Sequence, residues 1–301
     1  NKSIDSESEI LEKEKLIEGL KSQKKDIDAI SGRVGDALSY GKNHAYGEFI
    51  SEQTIDNISF QDVLDYHAKY FIPNNVYIVV IGDVNYKNVK SLISEKFGTW
   101  KKGKNIDNPE PVLTENVALT EINFVDLPTA TQSAIQVTNN VDLKMTDEDY
   151  FAALMANDIL GGGGEGYLFK NLREDKGYTY GTGSFFSSRK GVGPFGCYAP
   201  VQTKYTKSAI REMIKELSDI RKSRPLTNKE VENTKNNLIN KFPRKFESLS
   251  SISDEASDLV MFNLSEFAWE LYIEDVNKIT GAMATQASKD HIQPEKILIV
   301  D

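Results

Sequence analysis

Two stretches of unbroken apolar character stand out against an otherwise mixed chain: Val76-Tyr-Ile-Val-Val-Ile81 and Ile297-Leu-Ile-Val300. Each follows a proline, Pro73 or Pro294, and each reads as a buried strand. Helical spacing predicts helices over Ser6–Ser22, Ala29–Tyr40, Ser59–Tyr70 and Asn85–Phe97, followed by a polar linker from Lys101 to about Asn116. Beyond it come strands over Leu119–Val125 and Gln132–Thr138, a helix from about Thr146 to Leu160, and a glycine-rich turn. Two more strands, around Thr179–Arg189 and Gly193–Val201, lead into four helices, the first over Tyr205–Arg221. Ser59 and Thr280 suit the N-cap, because a hydroxyl there accepts from a free N–H of the first turn. Thr227 with Glu230 forms a capping box. Strands followed by runs of helices predict an α+β fold, an antiparallel sheet with helices on one face.

The pattern also repeats. Pro73 and Pro294 are 221 positions apart, as are Ile58 and Ile279, while Ile30-Ser31 with Asp36 recurs as Ile252-Ser253 with Asp258 at 222. A period this long marks a duplicated domain, not a solenoid unit. The second copy opens with strands and a helix whose counterparts in the first would fall roughly 100 to 60 residues before Asn1. The expectation is therefore an incomplete first copy over 1–104, a linker over 105–118 and a complete second copy over 119–301.

Composition narrows the function classes. With 301 residues, 39% apolar and 27% charged, the chain can build two cores. The net charge of −9 is spread over short alternations, which argues against nucleic-acid binding, since phosphate neutralisation needs clustered cations. Lys101, Lys102 and Lys104 form the densest basic run and read as solvated linker. No apolar run approaches the ~20 residues that span a bilayer. Asn1–Glu9 is polar, unlike a signal peptide, but the expected truncation leaves both bacterial cytoplasm and periplasm open.

Candidate chemistry is sparse. The three histidines, His44, His67 and His291, have no second histidine three or four residues away, so neither H-E-x-x-H nor H-x-x-E-H can be written. The single Cys197 sits in an apolar strand and reads as a buried, inert thiol. The glycines from Gly161 to Gly166 follow a helix and lack a G-K-[ST] ending, so they read as a helix-ending turn rather than a phosphate cradle.

The run Ile159-Leu-Gly-Gly, continuing through Leu168-Phe-Lys-Asn-Leu-Arg-Glu-Asp-Lys-Gly-Tyr-Thr-Tyr-Gly181, resembles the signature of the second, non-zinc domain of the pitrilysin, insulinase and mitochondrial processing peptidase family. Leu127-Pro-Thr-Ala-Thr-Gln-Ser133 before it and Phe195–Thr203 after it carry the same resemblance. Gly41-Lys-Asn-His-Ala-Tyr-Gly-Glu48 and Tyr70-Phe-Ile-Pro-Asn-Asn75 are similar to the later part of the family's zinc-bearing domain. The resemblance implies two homologous domains around a chamber, zinc on one, and on the other an arginine and a tyrosine that grip the peptide. These map to Arg173 and Tyr180, seven residues apart. The residues alone favour the plainer reading, in which Arg173 pairs with Glu174 or Asp175 and Tyr180 packs.

The zinc motif itself is absent from this chain, so the resemblance implies a chain that is inactive alone. The family's third ligand, a glutamate on the following helix, has Glu18 as its nearest candidate here. Two readings follow. One is the substrate-binding portion of a zinc metallopeptidase acting on peptides, its zinc supplied in the full assembly by a domain in cis or a homologous subunit in trans. The other is a non-catalytic subunit or scaffold that completes a partner's chamber.

Overall fold

The structure, a computed structural model, describes residues 6–106, 112, 114–187 and 192–301. Parts of the expected linker (105–118), of the polar N-terminus and of the strand reaching Arg189 lie outside these residues. The chain begins with helices α1 (Ser6–Gln23), α2 (Ile27–Tyr40), α3 (Glu52–Asp56), α4 (Phe60–Tyr70) and α5 (Tyr86–Phe97). Strands β1 (Glu121–Asn123) and β2 (Gln132–Val141) precede α6 (Tyr150–Gly161) and the single turn α7 (Tyr167–Phe169), which runs on into a π-helical turn, Lys170–Asp175. Next come β3 (Gly183–Phe186), β4 (Gly193–Gln202), α8 (Thr206–Asp219), α9 (Asn228–Lys241), α10 (Leu249–Met261), α11 (Ala268–Lys278), α12 (Gly281–His291) and β5 (Leu298–Val300). Five helices follow β4 where the sequence pattern suggested four. The caps are as expected. Ser59 accepts from the Asp62 N–H, Thr280 from the Met283 N–H, and Thr227 with Glu230 closes a capping box.

Some element bounds recur at the same spacing. Shifted by 221, α4 falls on the bounds of α12; shifted by 222, α1 and α2 begin where α9 and α10 begin. The same shift makes Val76–Ile81 the counterpart of β5, but it joins no strand ladder among the described residues. The expected strand is thus an extended segment, with Tyr77 76% exposed. A strand needs a neighbour, and β5 finds its own in β1 and β2.

Two compact units emerge. One gathers α1, α3–α5 and α10; the other holds α2, the sheet, α6–α9, α11 and α12. In the second unit the strand order is β1-β5-β2-β4-β3. The sheet is not purely antiparallel, because β1 pairs with β5 in parallel. Alternation along β2 and β4 sends Ile135, Val137, Phe195, Cys197, Ala199 and Val201 to one face, into a core with Ala153, Met155 and Ala156 of α6 and Met213 and Leu217 of α8. The expectation of helices on one face only is also corrected. α2 covers the opposite face, where the Asn140 amide donates to the Ser39 carbonyl at 2.9 Å and Gly35 lies over Gln136. Ser31 and Gly35 of α2 are buried against this polar face, and the Ser31 hydroxyl donates to the Ala134 carbonyl at 3.4 Å.

At the C-terminal end of α6, a Cβ on Gly161 would stand 2.4 Å from the Ser184 backbone nitrogen. Gly161→Ala must therefore push α6 off β3. We expect a loss of about 2 kcal/mol, the usual scale for overpacking, read as a lower urea midpoint at unchanged m-value.

Candidate functional site

The segment that carries Arg173 is built by glycines and leucines. Gly162 ends α6 by donating its N–H to the Asp158 carbonyl at 2.8 Å, and Gly163 (φ +124°) turns the chain as only glycine does readily. Gly166 then lies back against Gly161, where a Cβ would come within 3.0 Å of backbone. The expected helix-ending turn is what the glycines make, with the added task of close packing. Leu168 and Leu172, four residues apart and fully buried, anchor α7 and the π-helical turn to the core. The wide turn closes with the Lys176 N–H on the Asn171 carbonyl, five residues back, at 3.0 Å. Gly177 (φ +64°) ends it.

Beyond the turn the chain runs beside β4 toward β3. The Thr179 and Thr182 hydroxyls donate to the carbonyls of Pro200 and Tyr198, each at 2.6 Å, and Tyr178 stacks on Tyr205 with centroids 4.7 Å apart. Side chains thus replace ladder bonds along this stretch. The backbone of residue 180 is held between two buried threonines.

Arg173 and Tyr180 meet at the surface. The guanidinium donates to the Tyr180 carbonyl, and its Cζ lies 5.8 Å from the Tyr180 ring centroid and 5.1 Å from that of Phe169. Among the described residues no carboxylate forms an ion pair with Arg173; Asp175 instead faces Lys176 at 3.6 Å. Tyr180 is 84% exposed. A planar fork and a phenol side by side on an open surface can donate hydrogen bonds to carbonyl oxygens or to a developing oxyanion.

A polar network that sequence reasoning did not single out lies beneath. Asn171 donates to Glu216 at 2.6 Å and to Glu212 at 2.9 Å, both on α8. Glu216, its side chain 3% exposed, also takes a bond from Arg224, whose guanidinium stacks 3.5 Å above the Tyr167 ring. The Tyr167 hydroxyl donates to Glu230. Burial, and then that bond, raises the Tyr167 phenol above its ordinary range. Burial alone would push the Glu230 carboxyl up, but the bonds from Tyr167 and Thr227 outweigh it and hold the group below its ordinary value. The available signal was spacing: Tyr167/Asn171 and Glu212/Glu216 are i,i+4 pairs.

Among the described residues, none of the remaining candidates is hydrogen-bonded into this network. Glu18 is on the exposed side of α1, paired with Lys21 at 2.7 Å. His44 stacks on Tyr40, His67 on Phe71, and His291 faces Asp149 at 2.6 Å. Burial raises the Cys197 thiol, so the thiolate is disfavoured. No group of three His, Cys, Asp or Glu side chains among the described residues could hold a metal ion. The zinc implied by the resemblance thus does not fit the described residues, since zinc needs at least three convergent protein ligands. Likewise, no helix among them is long and apolar enough to cross a membrane.

The chain matches the family described as the peptidase M16 inactive domain over residues 57–238. It is 26% identical over 277 residues to an uncharacterized zinc protease of Bacillus subtilis, YmxG, covering 88% of this chain and 65% of that protein. A probable inactive metalloprotease of the same organism, YmfF, is 25% identical over 50% of this chain and 35% of its own length. The chain thus spans less than two thirds of these curated relatives. The solved peptidase M16 inactive domain from Pseudomonas fluorescens has TM-score 0.87 at 22% identity, covering 98% of this chain and 70% of that one. A protease from Helicobacter pylori has TM-score 0.88 at 16% identity, covering 98% and 72%. At these identities the structural likeness speaks for the fold.

The lowered Glu230 pKa carries a pH signature. A carboxyl whose folded-state pKa is depressed adds stability above its unfolded value and loses that contribution as pH falls. Melting temperature should therefore drop with acidification below the ordinary value of 4.5, and Glu230→Gln should flatten the drop. Equal slopes for wild type and variant in differential scanning calorimetry would contradict the assignment.

Proposed function

This chain belongs to the peptidase M16 family through its inactive domain, and on that premise we propose that it is the substrate-binding portion of a zinc metallopeptidase acting on peptides. In this reading residues 1–104 are the later part of the zinc-type domain, 105–118 a linker and 119–301 the peptide-gripping domain. The observation that carries it is the exposed pair Arg173 and Tyr180, joined side chain to backbone beside the sheet.

β3 is an edge strand, and Tyr180 lies three residues before it. A peptide laid antiparallel or parallel along β3 gains main-chain bonds that need no particular sequence. Its carbonyls then pass within reach of the Arg173 fork and the Tyr180 hydroxyl. Zinc belongs to the full assembly, held in a zinc-bearing domain in cis or a homologous subunit in trans, and the chain alone does not hydrolyse peptides. The naming of relatives as zinc proteases supports this coarse placement.

A second reading, a non-catalytic subunit or scaffold completing a partner's chamber, is favoured by the likeness to a probable inactive metalloprotease. Mixing this chain with a zinc-bearing homologue discriminates. A gain in peptidase activity over the homologue alone supports the partner role, and no gain removes it.

For the gripping role itself, fluorescence anisotropy of a labelled extended peptide of mixed sequence is the measurement. Arg173→Ala should weaken binding about 10-fold, the ~1.4 kcal/mol expected for losing a charge-assisted bond. Tyr180→Phe should weaken it less. Affinity unchanged in Arg173→Ala would dispose of the reading.

A further inference from the structure

The turn bearing Arg173 is too short to stand alone. α7 and the π-helical turn span nine residues, and isolated helices of that length are marginal in water. A π-turn is rarer still, and it persists only where its surroundings impose it. Leu168 and Leu172 bury the segment, but apolar contacts are non-directional and leave its rotation loosely set. Direction comes from two polar anchors on the same segment.

Asn171 reaches α8 through both of its amide hydrogens, to Glu212 and Glu216. Tyr167 is clamped between the Arg224 guanidinium on its face and Glu230 at its hydroxyl. Glu216 ties the anchors together, since one oxygen accepts from Asn171 and the other from Arg224. A carboxylate this deeply buried is costly unless fully paired, so its presence argues for a geometric task rather than for stability. Arg173 follows Asn171 by two residues, is exposed, and reaches the Tyr180 carbonyl.

We propose that Asn171 is a positioning residue for Arg173, locked by the Glu216–Arg224 pair, so that the exposed guanidinium is pre-aimed at the peptide before it arrives. The functional part of this inference rests on the peptide-gripping reading. The mechanical part does not. Pre-aiming matters because a free arginine gives up rotamer entropy on being fixed. A side chain already bonded to the Tyr180 carbonyl has spent part of it.

The test has two arms. In the first, phenylglyoxal modification is followed by mass spectrometry at Arg173, with exposed Arg244 as internal reference. Asn171→Ala should accelerate modification at Arg173 several-fold and leave Arg244 unchanged. Arg224→Lys keeps the charge for Glu216 but loses the planar stack on Tyr167. It should shift the rate the same way, and it stands in if the alanine variant fails to fold. Unchanged rates at Arg173 overturn the proposal. The second arm is a double-mutant cycle on peptide affinity. Asn171→Ala should weaken binding in the wild type and add nothing in the Arg173→Ala background, whereas an equal loss in both backgrounds overturns it. If Arg173→Ala alone leaves affinity unchanged, the gripping reading falls, and the modification rates still decide whether Asn171 positions the arginine.

Discussion

Gly161 lets the last turn of α6 rest on the backbone of Ser184, at a distance no side chain could occupy. Helix and strand are thereby locked at close range, and the Ser184 hydroxyl adds a bond to the Asn157 carbonyl at 3.1 Å. The turn that follows is built against that contact. Gly166 folds back on Gly161, α7 starts from there, and the π-helical turn ends where the two threonines take over. The surface position of Arg173 and Tyr180 is thus set by steric exclusion at one end and by directed hydrogen bonds at the other. A glycine run that resembles a ligand cradle in one dimension serves as a packing device in three.

Elements that recur at a spacing of 221–222 residues divide unequally. α1, α3 and α4 lie in one unit and α9, α11 and α12 in the other. For α2 and α10 the membership is exchanged. α2 belongs to the unit that contains the sheet, while α10 belongs to the other unit. The sheet face that receives α2 presents Ala134, Gln136, Thr138 and Asn140, polar or small where the other face is Ile135 and Val137. That contrast suits a helix with small residues and backbone bonds on one side and a dry, interdigitated core on the other.

Electrostatics beneath the site follows a different logic from that at the surface. Exposed pairs such as Lys21–Glu18 contribute little, being screened and entropically expensive. In the Glu216–Arg224–Tyr167 cluster it is Glu216 that is buried, and removing Arg224 leaves that charge without its counter-ion. Such a cluster favours one arrangement over its near neighbours more than it favours folding as such.

Local chemistry was legible in the one-dimensional pattern. The caps at Ser59, Thr227 and Thr280 form as read, because a cap depends on residues three positions apart. The α+β class and the family were legible for a similar reason, since spacing survives when packing is unknown. Three things were not legible: that α2 covers the other face of the sheet, that β1 runs parallel to β5, and that Val76–Ile81 joins no strand ladder among the described residues. Each depends on which partner is within reach, and apolar runs carry no record of their neighbours. The same holds for the site. Sequence could single out Arg173 and Tyr180 through resemblance, but only folding brings Glu212, Glu216 and Arg224, distant along the chain, under the turn that carries them. Hydrogen bonds act over a few ångströms, so a network among separated residues exists only once the backbone has closed around it.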